Sequence, residues 1–238
     1  MPTGSKQEEK VRGDSGELTV RGLNKSWSAD KALYDLSFEQ PEGTILGIAG
    51  DNGAGKSTLL KILASVLSRD SGEIHFRGVS LDDRSRWRAM IGYVPQELAL
   101  DDRLRVRETL LFWAAARGFS RSGRKAFLEM AATDPLVSGF LEKPIRECSG
   151  GMARRVSLIV GLLGGPFLLL LDEPFAGADG DSRELIKGRL NLLRSRGRTI
   201  LVAGHEEEIL TSLCNKVLTL RDGALSTEPV EIAEGFMR

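Results

Sequence analysis

The chain has 238 residues, 33 basic and 33 acidic side chains, and a hydrophobic fraction of 41%. That length suits one compact domain with a sizeable core, and the balanced charge argues against a nucleic-acid surface or a field aimed at an anionic membrane. The two cysteines, Cys148 and Cys214, have no metal-ligand spacing, so reduced thiols in a cytosolic protein are expected.

Residues 1–16 are polar and charged, without the apolar segment of an export signal, and read as a disordered leader; 17–238 read as a single domain. Leu18–Val20 and Lys31–Glu39 alternate as strands do, Pro41-Glu42-Gly43 is a turn, and Thr44–Ala49 is a short apolar strand. Lys56–Leu67 carries Leu59, Leu60, Ile62, Leu63, Val66 and Leu67 at helical steps and predicts a mostly buried helix. After the turn Asp70-Ser71-Gly72, Glu73–Arg77 predicts a half-buried strand with Ile74 and Phe76 on one face. Arg88–Pro95 predicts another strand, ending at Gln96.

From about Val106 to Glu147 the pattern is helical, with breaks near Ser120–Arg124 and at Asp134-Pro135. This predicts a helical subdomain spanning about 97–160. Gly150–Leu163 predicts a helix and Phe167–Leu171 a continuous apolar strand suited to the middle of a parallel sheet. The run Val156–Leu171 is too short for the ~20 residues of a membrane span and is broken by Gly161, Gly164, Gly165 and Pro166. Ser182–Ser195 (helix), Thr199–Ala203 and Val217–Leu220 (strands), a turn at Arg221-Asp222-Gly223 and a last helix near Glu231 complete the chain. Strands alternating with helices give an α/β fold with a parallel sheet covered on both faces. In such sheets ligands bind at the C-terminal edge of the strands. That edge is where the loop at 50–57, Gln96, Asp172-Glu173 and His205 all fall.

Gly50-Asp51-Asn52-Gly53-Ala54-Gly55-Lys56-Ser57 between a strand and a helix is a full P-loop match. Glycines let successive backbone N–H groups face phosphate oxygens, Lys56 reaches the terminal phosphates, and the Ser57 hydroxyl can ligate Mg²⁺. Asp172, after four leucines, suits a Mg²⁺ carboxylate; alone it would equally suit a helix N-cap. Glu173 beside it is placed to orient and deprotonate a water. These elements alone leave kinases, GTPases and helicases open. Cys148-Ser149-Gly150-Gly151-Met152 narrows the field, because Ser-Gly-Gly at a helix start offers a second anion site.

In this order, the motifs make the chain resemble the ATP-binding subunit of an ABC transporter over about Leu18–Leu220. The resemblance implies a P-loop NTPase with a RecA-like parallel core, an antiparallel β subdomain and a helical subdomain. It implies hydrolysis of ATP with Mg²⁺ between two such subunits, identical or paralogous, that drive a separate transmembrane permease. The domain would then sit in the cytoplasm, peripheral to the inner face of the membrane. The ATP-binding set it implies is Trp27, Gly50, Asn52, Gly53, Ala54, Gly55, Lys56, Ser57 and Thr58. Trp27 stands where the family stacks an aromatic ring on adenine, and packing into the protein is the alternative for that ring. Gln96, Glu173 and His205 fall at catalytic positions, with His205 at the γ-phosphate, and Ser57, Gln96 and Asp172 at metal positions. Ser149, Gly150, Gly151 and Asp179 fall where the partner's ATP is contacted. Cys148 replaces the usual Leu, Met152 the usual Gln, Gly180 a common Pro, and Gly204 a frequent Ser or Thr; none of these removes a catalytic group. Met152 with Arg154-Arg155 resembles the ABC-2-type exporters, and Asp172-Glu173-Pro174-Phe175 resembles the haem-exporter-like group.

Leu110, Leu111, Phe112 and Trp113 exceed what one helix face buries. They either fill the helical subdomain or line a groove for a short helix of the membrane subunit. The competing function is a soluble ABC-type ATPase acting on ribosomes or DNA. Such proteins carry paired domains or long insertions that this chain lacks, and the neutral charge speaks against a nucleic-acid partner.

Overall fold

The computed structural model describes residues 16–27 and 30–226. The sequence expectations for residues 1–15 and for a helix near Glu231 lie outside them. Two sheets dominate. The first is antiparallel, in the order β2-β1-β4-β5, from β1 (Leu18–Trp27), β2 (Asp30–Gln40), β4 (Ser71–Phe76) and β5 (Val79–Ser80). The second has the order β10-β9-β3-β8-β7-β6, from β3 (Ile45–Ala49), β6 (Ile91–Val94), β7 (Leu168–Asp172), β8 (Thr199–Gly204), β9 (Lys216–Arg221) and β10 (Ala224–Leu225). All its pairings are parallel except β10 with β9.

The parallel sheet explains the leucine run. In β7, Leu168 and Leu170 point to one face and join Leu59, Leu60 and Leu63 of α1 (Lys56–Leu63) and Leu18, Val20, Ile74 and Phe76 of the antiparallel sheet. Leu169 and Leu171 point to the other face, with Val156 and Ile159 of α5 (Gly150–Gly161) and Ile186 and Leu190 of α6 (Gly180–Ser195). A strand buried on both faces has no polar position to alternate with, so it reads as a continuous apolar run. The helical segment between β6 and α5 contains α3 (Val106–Ala116), α4 (Arg121–Ala131) and two short 3₁₀ turns.

Three local expectations are corrected. The helix predicted to Leu67 ends at Leu63, because Ser65 adopts a left-handed φ of 56° and Arg88 bonds its carbonyl and hydroxyl; Val66 is consequently exposed. The strand predicted from Arg88 starts only at Ile91. Arg84–Met90 forms α2, capped by Asp83 accepting from the Arg86 N–H and anchored by Trp87, which is fully buried and donates its Nε1–H to the Leu63 carbonyl at 2.7 Å. Helix α7 (Glu207–Leu213), which buries Ile209, Leu210 and Leu213, was not expected.

Strand β6 and helix α5 meet with no room to spare. A Cβ on Gly161 would lie 2.4 Å from the Val94 side chain, whereas one on Gly188, in α6, would meet nothing within 4 Å. Gly161→Ala is therefore expected to destabilise by about 1–3 kcal/mol through overpacking. Gly188→Ala should stabilise by about 0.5–1 kcal/mol through helix propensity. Urea midpoints of the two variants check the pair; equal shifts would refute the close approach.

Candidate active site

The parallel ladders align four strand ends along one edge of the sheet. Ala49 pairs with Gly204 and Asp172 with Ala203, so the segments leaving β3, β7 and β8 emerge side by side, and β6 delivers Gln96 next to β7. The loop after β3 leads straight into α1. Its last residue, Gly55, is the helix N-cap at φ 106°, where a Cβ would lie 2.5 Å from the Ala32 carbonyl oxygen. Only glycine allows that backbone, and it brings the N-terminus of α1, with Lys56, Ser57 and Thr58, to the edge of one space.

That space is a cleft of about 510 Å³. Trp27, Asn52, Gly53, Gly55, Lys56, Ser57, Thr58, Gln96 and Glu173 line it. Gly50 and Ala54 shape the loop without lining the cleft. Ala54 is buried, and the Gly50 carbonyl accepts from Lys56 Nζ at 2.6 Å, beside the Asp51 carbonyl at 3.0 Å. Lys56 is itself buried and lies 3.9 Å from Glu173 Oε1. Trp27 is 53% exposed, with the Lys25 ammonium 5.2 Å from its ring centroid.

Asp172 and Glu173 divide the end of β7 between them. Asp172 is buried, bonded by the Ser57 side chain, and its Oδ1 has no hydrogen-bond partner; burial pushes its carboxyl above the ordinary value, and the charge on Glu173 adds to the rise. Glu173 turns out of the strand at φ 50°, a left-handed conformation uncommon for a non-glycine residue, while its N–H still donates to the Ala203 carbonyl. The turn aims its carboxylate at His205, whose Nδ1 lies 3.1 and 3.0 Å from the two oxygens. His205 is exposed beyond the end of β8.

Ser149, Gly150, Gly151 and Asp179 do not line this cleft. They form a second cluster. Ser149 caps α5, accepting from the Met152 N–H, and Asp179 caps α6, accepting from the Ser182 N–H at 2.8 Å; the Ser182 side chain first and this N–H second hold the Asp179 carboxyl below the ordinary range. The two helix starts touch: a Cβ on Gly150 would lie 2.9 Å from the Gly177 carbonyl oxygen, and one on Gly151 2.5 Å from Ser182 Oγ. The sequence did not single out Arg154 as a contact residue. It is buried in α5 and donates to the Ala176 and Pro95 carbonyls. Nothing in its local pattern separates it from a surface arginine, because both partners are remote in sequence.

Comparisons with known proteins agree with this geometry. The ABC transporter family matches residues 33–176. The Nod factor export ATP-binding protein I of Paraburkholderia xenovorans is 34% identical over 236 residues, covering 99% of this chain and 72% of that protein. The protein of the same name from Burkholderia pseudomallei is 36% identical over 211 residues, covering 88% and 67%. Among solved structures, cbiO1 from Clostridium perfringens, part of the ABC transporter complex cbiONQ, superposes with a TM-score of 0.78 at 27% identity over 91% of this chain and 88% of that one. The dimeric bacterial ABC transporter cassette MJ0796 has a TM-score of 0.80 at 24% identity over 92% and 100%, a likeness of fold. The chain belongs to the ABC transporter family and is an ATP-binding subunit of the kind that hydrolyses ATP to power transport.

Proposed function

We propose that this chain pairs head to tail with a second ATPase subunit, a copy of itself or a paralogue, and that closure of the pair on ATP drives export through a separate transmembrane subunit. One observation carries the proposal: the two glycine-rich helix starts of the chain, at Lys56 and at Gly150, do not share a cleft. Lys56, Gln96 and Glu173 share one cleft, and Ser149, Gly150, Gly151 and Asp179 lie outside it. A helix start with free N–H groups that serves no ligand of its own cleft suits the ATP held by a partner. The MJ0796 cassette, alike in fold, is dimeric, and the Nod factor relatives are export proteins.

In this reading Trp27 stacks on the adenine and Lys56 exchanges its two carbonyl contacts for the terminal phosphates. Gln96 and the backbone of 50–58 orient them. Glu173 takes a proton from the attacking water. Its carboxylate is kept in place by Lys56 on one side and the His205 ring on the other, and His205, at the rim, holds the γ-phosphate. The donor set fits Mg²⁺: Asp172 presents a buried oxygen with no partner, Ser57 is bonded to the same carboxylate, and Gln96 lines the cleft. Among the described residues no cluster of His, Cys, Asp or Glu could hold a metal unaided, so the phosphates would complete the ligand set. When bound, Mg²⁺ neutralises charge across the terminal phosphates. Catalysis is then positioning and electrostatics, and hydrolysis releases the closed state, a shift of population set by the ligand.

The transmembrane partner has a place to dock. A cleft of about 520 Å³ opens between the end of α1, β6, α3 and α5, with Ile91, Tyr93, Leu100, Trp113 and Val160 in its walls. Of the apolar run in α3, Leu110 is buried, Trp113 faces the cleft and Phe112 is 58% exposed, so the run serves both the core and the surface. A short amphipathic helix fits such a groove. Among the described residues no helix is long and apolar enough to cross a membrane.

Glu173→Gln is expected to lower turnover by about 10²–10⁴-fold and to accumulate an ATP-bound dimer, measured by light scattering; a fully active variant would overturn the base assignment. Ser149→Arg should block that dimer while ATP still binds at Lys56. Loss of ATP binding with it would refute the action in trans. For Asp172 the raised carboxyl means that the folded state holds this proton more tightly than the unfolded chain. The group's contribution is therefore favourable below the ordinary carboxylate value of 3.8 and is lost as pH rises through the raised folded value. Asp172→Asn should melt above wild type at pH 7, with the advantage shrinking in acid, and should lose Mg²⁺-dependent tightening of ATP. A lower melting temperature at pH 7 would contradict the burial argument.

A further inference from the structure

Arg154 is 8% exposed, buried in the second turn of α5, the helix capped by Ser149. Its guanidinium donates from Nε to the Ala176 carbonyl at 3.4 Å and from Nη1 to the Pro95 carbonyl at 3.3 Å. Pro95 immediately precedes Gln96, and Ala176 lies in the loop that joins Glu173 to Asp179. Burial disfavours the charged guanidinium, and Glu173 and Asp172 oppose that effect. A buried cation is expensive unless paired, and here the field of the two carboxylates at the end of β7 offsets that cost only in part. Its neighbour Arg155 is arranged differently: it lies over the Phe140 ring at 4.9 Å and its buried Nε has no partner.

We propose that Arg154 is a positioning residue for ATP hydrolysis: its forked guanidinium fixes the Gln96 loop and the Glu173–Asp179 loop to α5, so that Ser149 at one end of this helix and Gln96 beside it move as one unit. The part of this statement that concerns Ser149 rests on the head-to-tail pairing proposed above. The link to Gln96 needs only the contacts within one chain. Arginine suits the task because its donors point in fixed, divergent directions, whereas a lysine ammonium is one compact point on a flexible stem. A misplacement of a positioning group by about 1 Å can cost on the order of 10²-fold in rate.

The test is a double-mutant cycle in the full chain between Arg154→Met and Gln96→Ala, with Arg154→Lys alongside. Turnover, KM for ATP, equilibrium ATP binding and the melting temperature are measured for each. Arg154→Met is expected to lower kcat about ten- to hundredfold with KM changed by less than about twofold, and Arg154→Lys to recover part of the loss. The double variant should turn over no more slowly than Gln96→Ala alone, because both changes remove the same placement. Losses that multiply in the double variant, or a fall in kcat that follows lost ATP binding or lost melting temperature, would overturn the proposal. If Arg154→Met does not fold, the same cycle with Arg154→Lys decides. Failure of the pairing itself would show as a Ser149→Arg chain that still dimerises, an outcome that leaves the Arg154–Gln96 cycle readable.

Discussion

A parallel sheet must be covered on both faces, and the rest of this molecule follows from how that is done. β7 buries leucines alternately toward α1 and toward α5 and α6, so no part of the strand, Asp172 included, meets solvent. Parallel pairing then brings β3, β6, β7 and β8 to an end at the same edge. The polar groups have no other exit. The phosphate-type loop, Gln96, the two carboxylates and His205 gather there because the hydrophobic layers exclude them from everywhere else.

The electrostatics at this edge are a consequence of the same burial. Asp172 and Glu173 are adjacent and both buried, an arrangement that is unfavourable without cations nearby. Lys56 approaches from the loop and Arg154 lies within reach of their field from the helix behind. The left-handed turn at Glu173 separates the two carboxylates, sending one to Ser57 and the other to His205. A backbone conformation that a non-glycine residue seldom adopts is thus held by the strand before it and the ladder bond to Ala203.

Much of this was legible in the sequence because it is written in local patterns. The leucine run marks the central strand, and glycine spacing marks the loop. The order of the motifs marks the edge. Other features were hidden for identifiable reasons. Helix α2 is only seven residues long and is held by a tertiary bond from Trp87, so its apolar content looked like the start of the next strand. Helix α1 stops early because Arg88, 23 residues away, holds Ser65 in a left-handed turn. Arg154 bonds carbonyls 22 and 59 positions away, and no window along the chain contains both. The helical segment was visible as helical, but the division of its apolar side chains between core and cleft depends on how α3 lies on α5. Periodicity does not encode that.

The two carbonyls that hold the Lys56 ammonium give the site a selectivity of its own. Hydrogen bonds to a charged donor are each worth roughly 1.5–3 kcal/mol, and the Gly50 and Asp51 carbonyls already supply two of them. An incoming anion gains only the difference between its own oxygens and those of the loop. Weakly basic anions, or phosphates that reach the lysine with a single oxygen, gain little from the exchange. A polyphosphate chain that also engages the N–H groups of the loop gains at several points at once. The resting contacts of Lys56 therefore reduce what any anion gains from this one ammonium, and the balance of binding falls to the rest of the loop.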